Sequence, residues 1–134
     1  MTDVTEIEGI GPALAEKLGA AGVETCEALL DKGASKAGRQ ALAESSGLSE
    51  KQLLKFVNQA DLFRIKGVGG EYAELLEAAG VDSVPELAQR KAANLTAKMA
   101  EVNEARKLVR HLPSEKQVES WVQEARTLPP VVTH

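Results

Sequence analysis

Cysteine is almost absent from this chain. Cys26 is the only one in 134 residues, so no intramolecular disulfide can form and a cysteine-built zinc site is excluded. Aromatics are as scarce: Phe56, Phe63, Tyr72 and Trp121 make 3% of the residues, too few for a base-stacking platform. No apolar run nears the roughly 20 residues that a membrane helix needs, and the N-terminus lacks a basic-then-apolar leader. These features predict a soluble, cytoplasmic protein without a membrane partner. Positive charge is not in excess either. Sixteen Lys and Arg face twenty Asp and Glu, a net charge of −4, which argues against a strongly basic nucleic-acid coat but leaves room for a local basic face. His111 and His134 have no Cys or carboxylate at metal-ligand spacing. There is no Ser-His-Asp arrangement, no P-loop and no strand-borne Gly-x-Gly-x-x-Gly. The expectation is a non-enzymatic protein with no catalytic residue, metal, cofactor or small-molecule substrate.

What the chain does have is an internal repeat. Ile7-Glu8-Gly9-Ile10-Gly11-Pro12 recurs as Ile65-Lys66-Gly67-Val68-Gly69-Gly70, and the match runs without a gap to Leu30 and Ala88. Eleven of those 24 positions are identical. A second match, offset by 65 residues, pairs Ser49-Glu50-Lys51-Gln52 with Ser114-Glu115-Lys116-Gln117 and Phe56-Val57 with Trp121-Val122. The repeat predicts tandem units over 1–64 and 65–128, with a disordered tail at 129–134.

Both units read as helices. Pro12 suits a first helical position, and Gly22 and Gly80 suit helix C-termini. Thr25 and Ser35 are candidate N-caps; Ser49 with Gln52, Ser83 with Glu86 and Ser114 with Gln117 are candidate capping boxes. Asn94 is the expected cap of a helix carrying Leu95, Met99, Val102, Leu108 and Val109 and ended by Pro113, which would put Arg106 and Arg110 one turn apart on a single face. No stretch alternates with period two. The expected fold is an all-α, SAM-like helical bundle of about eight to ten helices with no sheet, its two units related by a pseudo-two-fold.

Apolar-x-Gly-apolar-Gly between two helical runs is the signature of a helix-hairpin-helix. The glycines are expected to need positive φ or near-contact with a neighbouring helix. Such a corner leaves amide N–H groups free at the start of its second helix, a ready phosphate site that holds a nucleic-acid backbone without reading bases. The candidate binding residues are Gly9, Gly11 and Lys17 at the first corner, and Arg64, Lys66, Gly67, Gly69 and Gly70 at the second, joined by Arg106 and Arg110. The second corner is the better candidate: Arg64 and Lys66 flank it, opposed by Glu71, whereas Glu6 and Glu8 flank the first. Arg106, Lys107, Arg110, His111 and Lys116 also read as an ordinary solvated face, and form a basic stripe with Arg64 and Lys66 only if folding gathers them. Phe56 and Trp121 read as core anchors, Cys26 as a small buried hydrophobe, and Tyr72, which replaces Leu14, as a ring whose hydroxyl reaches water.

Two families share these features. Ile7 to Leu62 resembles the small helical N-terminal domain of archaeal and eukaryotic RecA-like recombinases, through its Gly-apolar-Gly-Pro hairpin and the later Gly47-Leu48-Ser49-Glu50. The chain as a whole, through Asn103, Leu108-Val109-Arg110, Leu112-Pro113-Ser114 and Trp121, resembles an uncharacterised bacterial family of paired helix-hairpin-helix repeats. The first resemblance implies nucleic-acid binding or partner docking; the second implies the fold. Two functions therefore stay open: weak, sequence-independent binding of a nucleic-acid backbone, or protein docking through an apolar groove between the units. The sequence leaves the oligomeric state unknown.

Overall fold

A computed structural model of the chain describes residues 2–133; His134 lies outside the described residues. They form a 3₁₀ turn, Val4–Glu6, and eight helices: α1 (Pro12–Ala20), α2 (Cys26–Gly33), α3 (Lys36–Ser46), α4 (Glu50–Leu62), α5 (Gly70–Ala78), α6 (Val84–Ala88), α7 (Ala92–Arg106) and α8 (Glu115–Thr127). No strand occurs among the described residues, and the single extended pairing is an isolated bridge between Asp3 and Thr25. The fold is all-α, as expected. It divides into two compact units, Met1–Asp61 with Pro130–His134, and Leu62–Pro129. The division falls three residues before the expected 64/65 boundary.

In the first unit, α1 starts at Gly11 with Pro12 in its first turn, where a missing N–H costs nothing. Its end is closed by Val23 N–H donating to the Leu18 carbonyl at 2.8 Å across Gly22, which is left-handed at φ +87°. Thr25 Oγ1 caps α2 through Ala28 N–H and Ser35 Oγ caps α3 through Gly38 N–H. Ser49 and Gln52 make a complete capping box at α4, each accepting the other's backbone N–H at 3.1 Å. Ile7, Ile10, Leu18, Val23, Leu29, Leu53, Phe56 and Val57 are buried. Cys26 is 2% exposed, and loss of water around it pushes its thiol up to about 12, so it stays protonated at neutral pH.

The second unit repeats these local rules. Val81 N–H donates to Leu76 across Gly80 at the same 2.8 Å, and Val68 N–H donates to Ile65 as Ile10 N–H does to Ile7, both at 3.1 Å. Helices α6 and α7 pack on α8, and α5 on α7, around Leu75, Leu76, Leu87, Leu95, Met99, Val118 and Trp121.

Three expectations about helix ends are corrected. Helix α7 begins at Ala92 without a side-chain cap, so Asn94 sits exposed inside its first turn. It also ends at Arg106 and does not reach Pro113. Asn103 explains that early end: its Oδ1 accepts from Val109 N–H at 2.9 Å and its Nδ2 donates to the Val109 carbonyl at 3.1 Å. The amide side chain thus takes the place of a helical neighbour and turns the chain away. Ser83 receives Glu86 N–H at 3.3 Å, but the Glu86 carboxylate pairs with Arg90 at 3.1 Å, so only half of that capping box forms. The expected tail acquires partners too. Thr133 N–H donates to the Ala34 carbonyl at 2.8 Å and its carbonyl accepts from Arg39, because a buried guanidinium needs acceptors.

Candidate functional site

The two glycine corners are built alike. Gly9 and Gly67 take φ of +98° and +90°, which a Cβ would strain, and each backs onto its unit's aromatic residue. A Cβ would stand 3.4 Å from Phe56 Cε1 at Gly9 and 3.2 Å from Trp121 Nε1 at Gly67. Ile10 and Val68 point inward, each 4% exposed. The second glycine of each corner departs from expectation. Gly11 (φ −88°) and Gly69 (φ −101°) are extended, and a Cβ at either would meet nothing within 4 Å. Neither twist nor packing demands glycine there. Both are exposed N-caps with no side-chain hydrogen bond, so no capping side chain occupies the start of α1 or α5, and Pro12 leaves α1 one N–H fewer there than α5.

The cations are distributed differently from the sequence expectation. Lys17 lies in the last turn of α1, at its carbonyl end, and does not join Gly9 and Gly11. Arg64 is half-buried and its Nη2 donates to the Pro129 carbonyl at 3.1 Å. Lys66 extends an exposed side chain while its backbone N–H donates to Glu124 Oε1 at 3.1 Å, so α8 delivers a carboxylate to the second corner. Because α7 stops early, Arg106 closes a helix whereas Arg110 lies in the irregular segment 107–114, and the two do not share a helical face.

That segment nevertheless reaches the second corner. Tyr72, the third residue of α5, donates its hydroxyl to the His111 carbonyl at 2.9 Å, and its ring lies 5.3 Å from that of Trp121. The Tyr72 hydroxyl, expected to reach water, thus also has a protein partner, in a bond that is itself exposed. Val109 and Pro113 are buried and anchor the segment, while Lys107, Arg110, His111 and Leu112 are exposed. Lys107 is the one non-glycine with positive φ among the described residues, at 52°. Gly69, Gly70, Tyr72 and the basic segment are thus brought to one neighbourhood. Glu71 and Glu124 temper its charge.

The Asn103–Val109 and Glu124–Lys66 bonds escaped the sequence reading, since no spacing rule links an amide to a residue six positions on or a carboxylate to one 58 residues away. Tyr72 carried a signal: a hydroxyl in one copy where the other has Leu14. The repeat partner of Glu124 is Gln59, 1% exposed, whose Nε2 has no hydrogen-bond partner. No group of three His, Cys, Asp or Glu among the described residues could hold a metal ion. No described helix is long and apolar enough to cross a membrane.

Residues 8–128 match the model of a family described as a domain of unknown function (DUF4332), and the chain belongs to that family. No curated protein and no solved structure matches it.

Proposed function

We propose that this member of the family binds a nucleic-acid backbone weakly and without base preference, through its second unit, and catalyses no reaction. In this reading each corner with its flanking helices is a helix-hairpin-helix. The amides of Gly70 and Glu71 would receive one phosphate, and Lys107, Arg110 and Lys66 would neutralise its neighbours. The observation that carries it is the Tyr72–His111 hydrogen bond, which ties a basic segment to the amide end of α5. The uncapped, sterically open Gly69 supports it, because a phosphate oxygen can approach that backbone without meeting a side chain.

A salt titration with duplex DNA tests the proposal. Three phosphate contacts would give a log–log slope of about −2.7. Binding absent at low salt, or indifferent to salt, refutes it. Tyr72→Phe removes the bond between the segment and α5 and is expected to weaken DNA binding while costing about 1 kcal/mol of stability. The second reading is docking to a protein, favoured by Leu112, which stands 46% exposed beside Arg110. Leu112→Ser separates the two: it leaves DNA affinity unchanged and would abolish docking on that surface.

A further inference from the structure

The first unit holds a feature the second lacks and the proposed nucleic-acid reading does not use. Arg39, in the first turn of α3, is 3% exposed. Its Nη1 donates to the carbonyls of Gly33 and Ala34, at 2.8 and 3.0 Å, at the end of α2, where a cation complements the helix dipole. Its Nη2 donates to the Thr133 carbonyl. All of these acceptors are main-chain carbonyls. Thr133 returns its N–H to the Ala34 carbonyl at 2.8 Å and its Oγ1 to the same oxygen at 3.4 Å.

Two glycines shape this corner by close approach. A Cβ on Gly38 would stand 2.1 Å from the Lys32 carbonyl oxygen, and one on Gly33 would stand 2.5 Å from Val57 Cγ2. Gly38 thus lets the start of α3 press against the end of α2, and Gly33 lets that end press against Val57 of α4, which together set the Arg39 fork beside the Ala34 carbonyl. A donor and an acceptor side by side, one from a guanidinium and one from a helix end, imitate a residue at the edge of a sheet.

We infer that the α2–α3 corner is a slot for one extended peptide unit, filled here by Thr133, so that residues 130–133 form a detachable strap over the buried Arg39 guanidinium. The slot reads main chain, so its occupant must offer a free N–H as well as a carbonyl. The rest of the strap is loosely held: Pro130 and Val131 are exposed and Val132 is half-buried. Opening it uncovers one arm of a cation that has no acceptor of its own there, which biases the strap shut while leaving it releasable.

Hydrogen exchange on the full chain tests this. The Thr133 amide is expected to exchange at least tenfold slower than in a free peptide. In Arg39→Lys, which keeps the charge and loses the fork, it should return to within about twofold of the free rate while α8 amides keep theirs. Thr133→Pro removes the N–H without touching the slot. In that variant, a synthetic peptide of residues 128–134 should shift the Ala34 and Arg39 amide resonances, which gives an answer even if Arg39→Lys unfolds. Free-rate exchange at Thr133 in the unmodified chain overturns the inference, as does a peptide that shifts nothing. Protection that disappears on dilution together with a dimer also overturns it, because the occupant would then be a second copy's tail.

Discussion

The two units share a partial sequence repeat and end with different surfaces. In the first, the helix after the glycine corner carries Leu14, its cation Lys17 lies at the far end, and the positive charge nearest the fold's interior, Arg39, is buried under the chain's own residue Thr133. In the second, the matching helix carries Tyr72, and one hydroxyl brings an exposed basic segment to the helix start. The repeated residues are those that make corners and cores. The residues that distinguish the surfaces stand outside that frame, Tyr72 acting through one hydrogen bond and Arg39 through three.

Removing the aromatic behind each corner probes that frame most severely. Trp121→Ala and Phe56→Ala should each cost about 3–5 kcal/mol in urea unfolding. Trp121→Ala should cost more, because Tyr72 loses a ring partner worth about 0.5–1.5 kcal/mol. Equal losses would dissolve the distinction between the copies.

Cys26 and its partner Val84 offer a second contrast. Burial holds the folded-state thiol pKa near 12, above its ordinary value of 9.0, so the stability it confers is intact below pH 9 and is lost as pH rises towards 12. The steepest decline should be about 1.4 kcal/mol per pH unit. Cys26→Val, which installs the second unit's residue, should remove this part of the alkaline decline when unfolding free energies are compared across pH.

Charge neutralisation sharpens the functional side. Arg110→Gln should reduce the magnitude of the DNA salt slope by about 0.9, and Lys17→Gln should leave it unchanged. An equal effect from Lys17 would erase the assignment to the second unit. The smallest effect expected is from Lys107→Gly. It relieves a left-handed lysine, raising stability by up to about 1 kcal/mol, while weakening DNA binding by loss of a cation.

Much of this frame was legible in the residues. The corners, the caps at Thr25, Ser35 and Ser49, and the burial of Phe56 and Trp121 follow from local rules that a linear pattern contains. The early end of α7 was not legible, because helical spacing through Leu108 and Val109 is intact. Asn103 overrides it with a side-chain bond that competes with the backbone. The failure of Arg106 and Arg110 to share a face follows directly from that bond. Arg39 and Thr133 are 94 residues apart, and no periodicity announces such a pairing. The Glu124 carboxylate at Lys66 is equally silent, since its repeat partner is a glutamine.

That long separation has a consequence during synthesis. Every other bond recorded for Arg39 is made within six residues, so its corner can form soon after α3 leaves the ribosome. Its last acceptor is translated 94 residues later, about 5–20 s at ordinary elongation rates. For that interval the Thr133 acceptor of the Arg39 guanidinium has not yet been made, so the corner must form before its own cover exists.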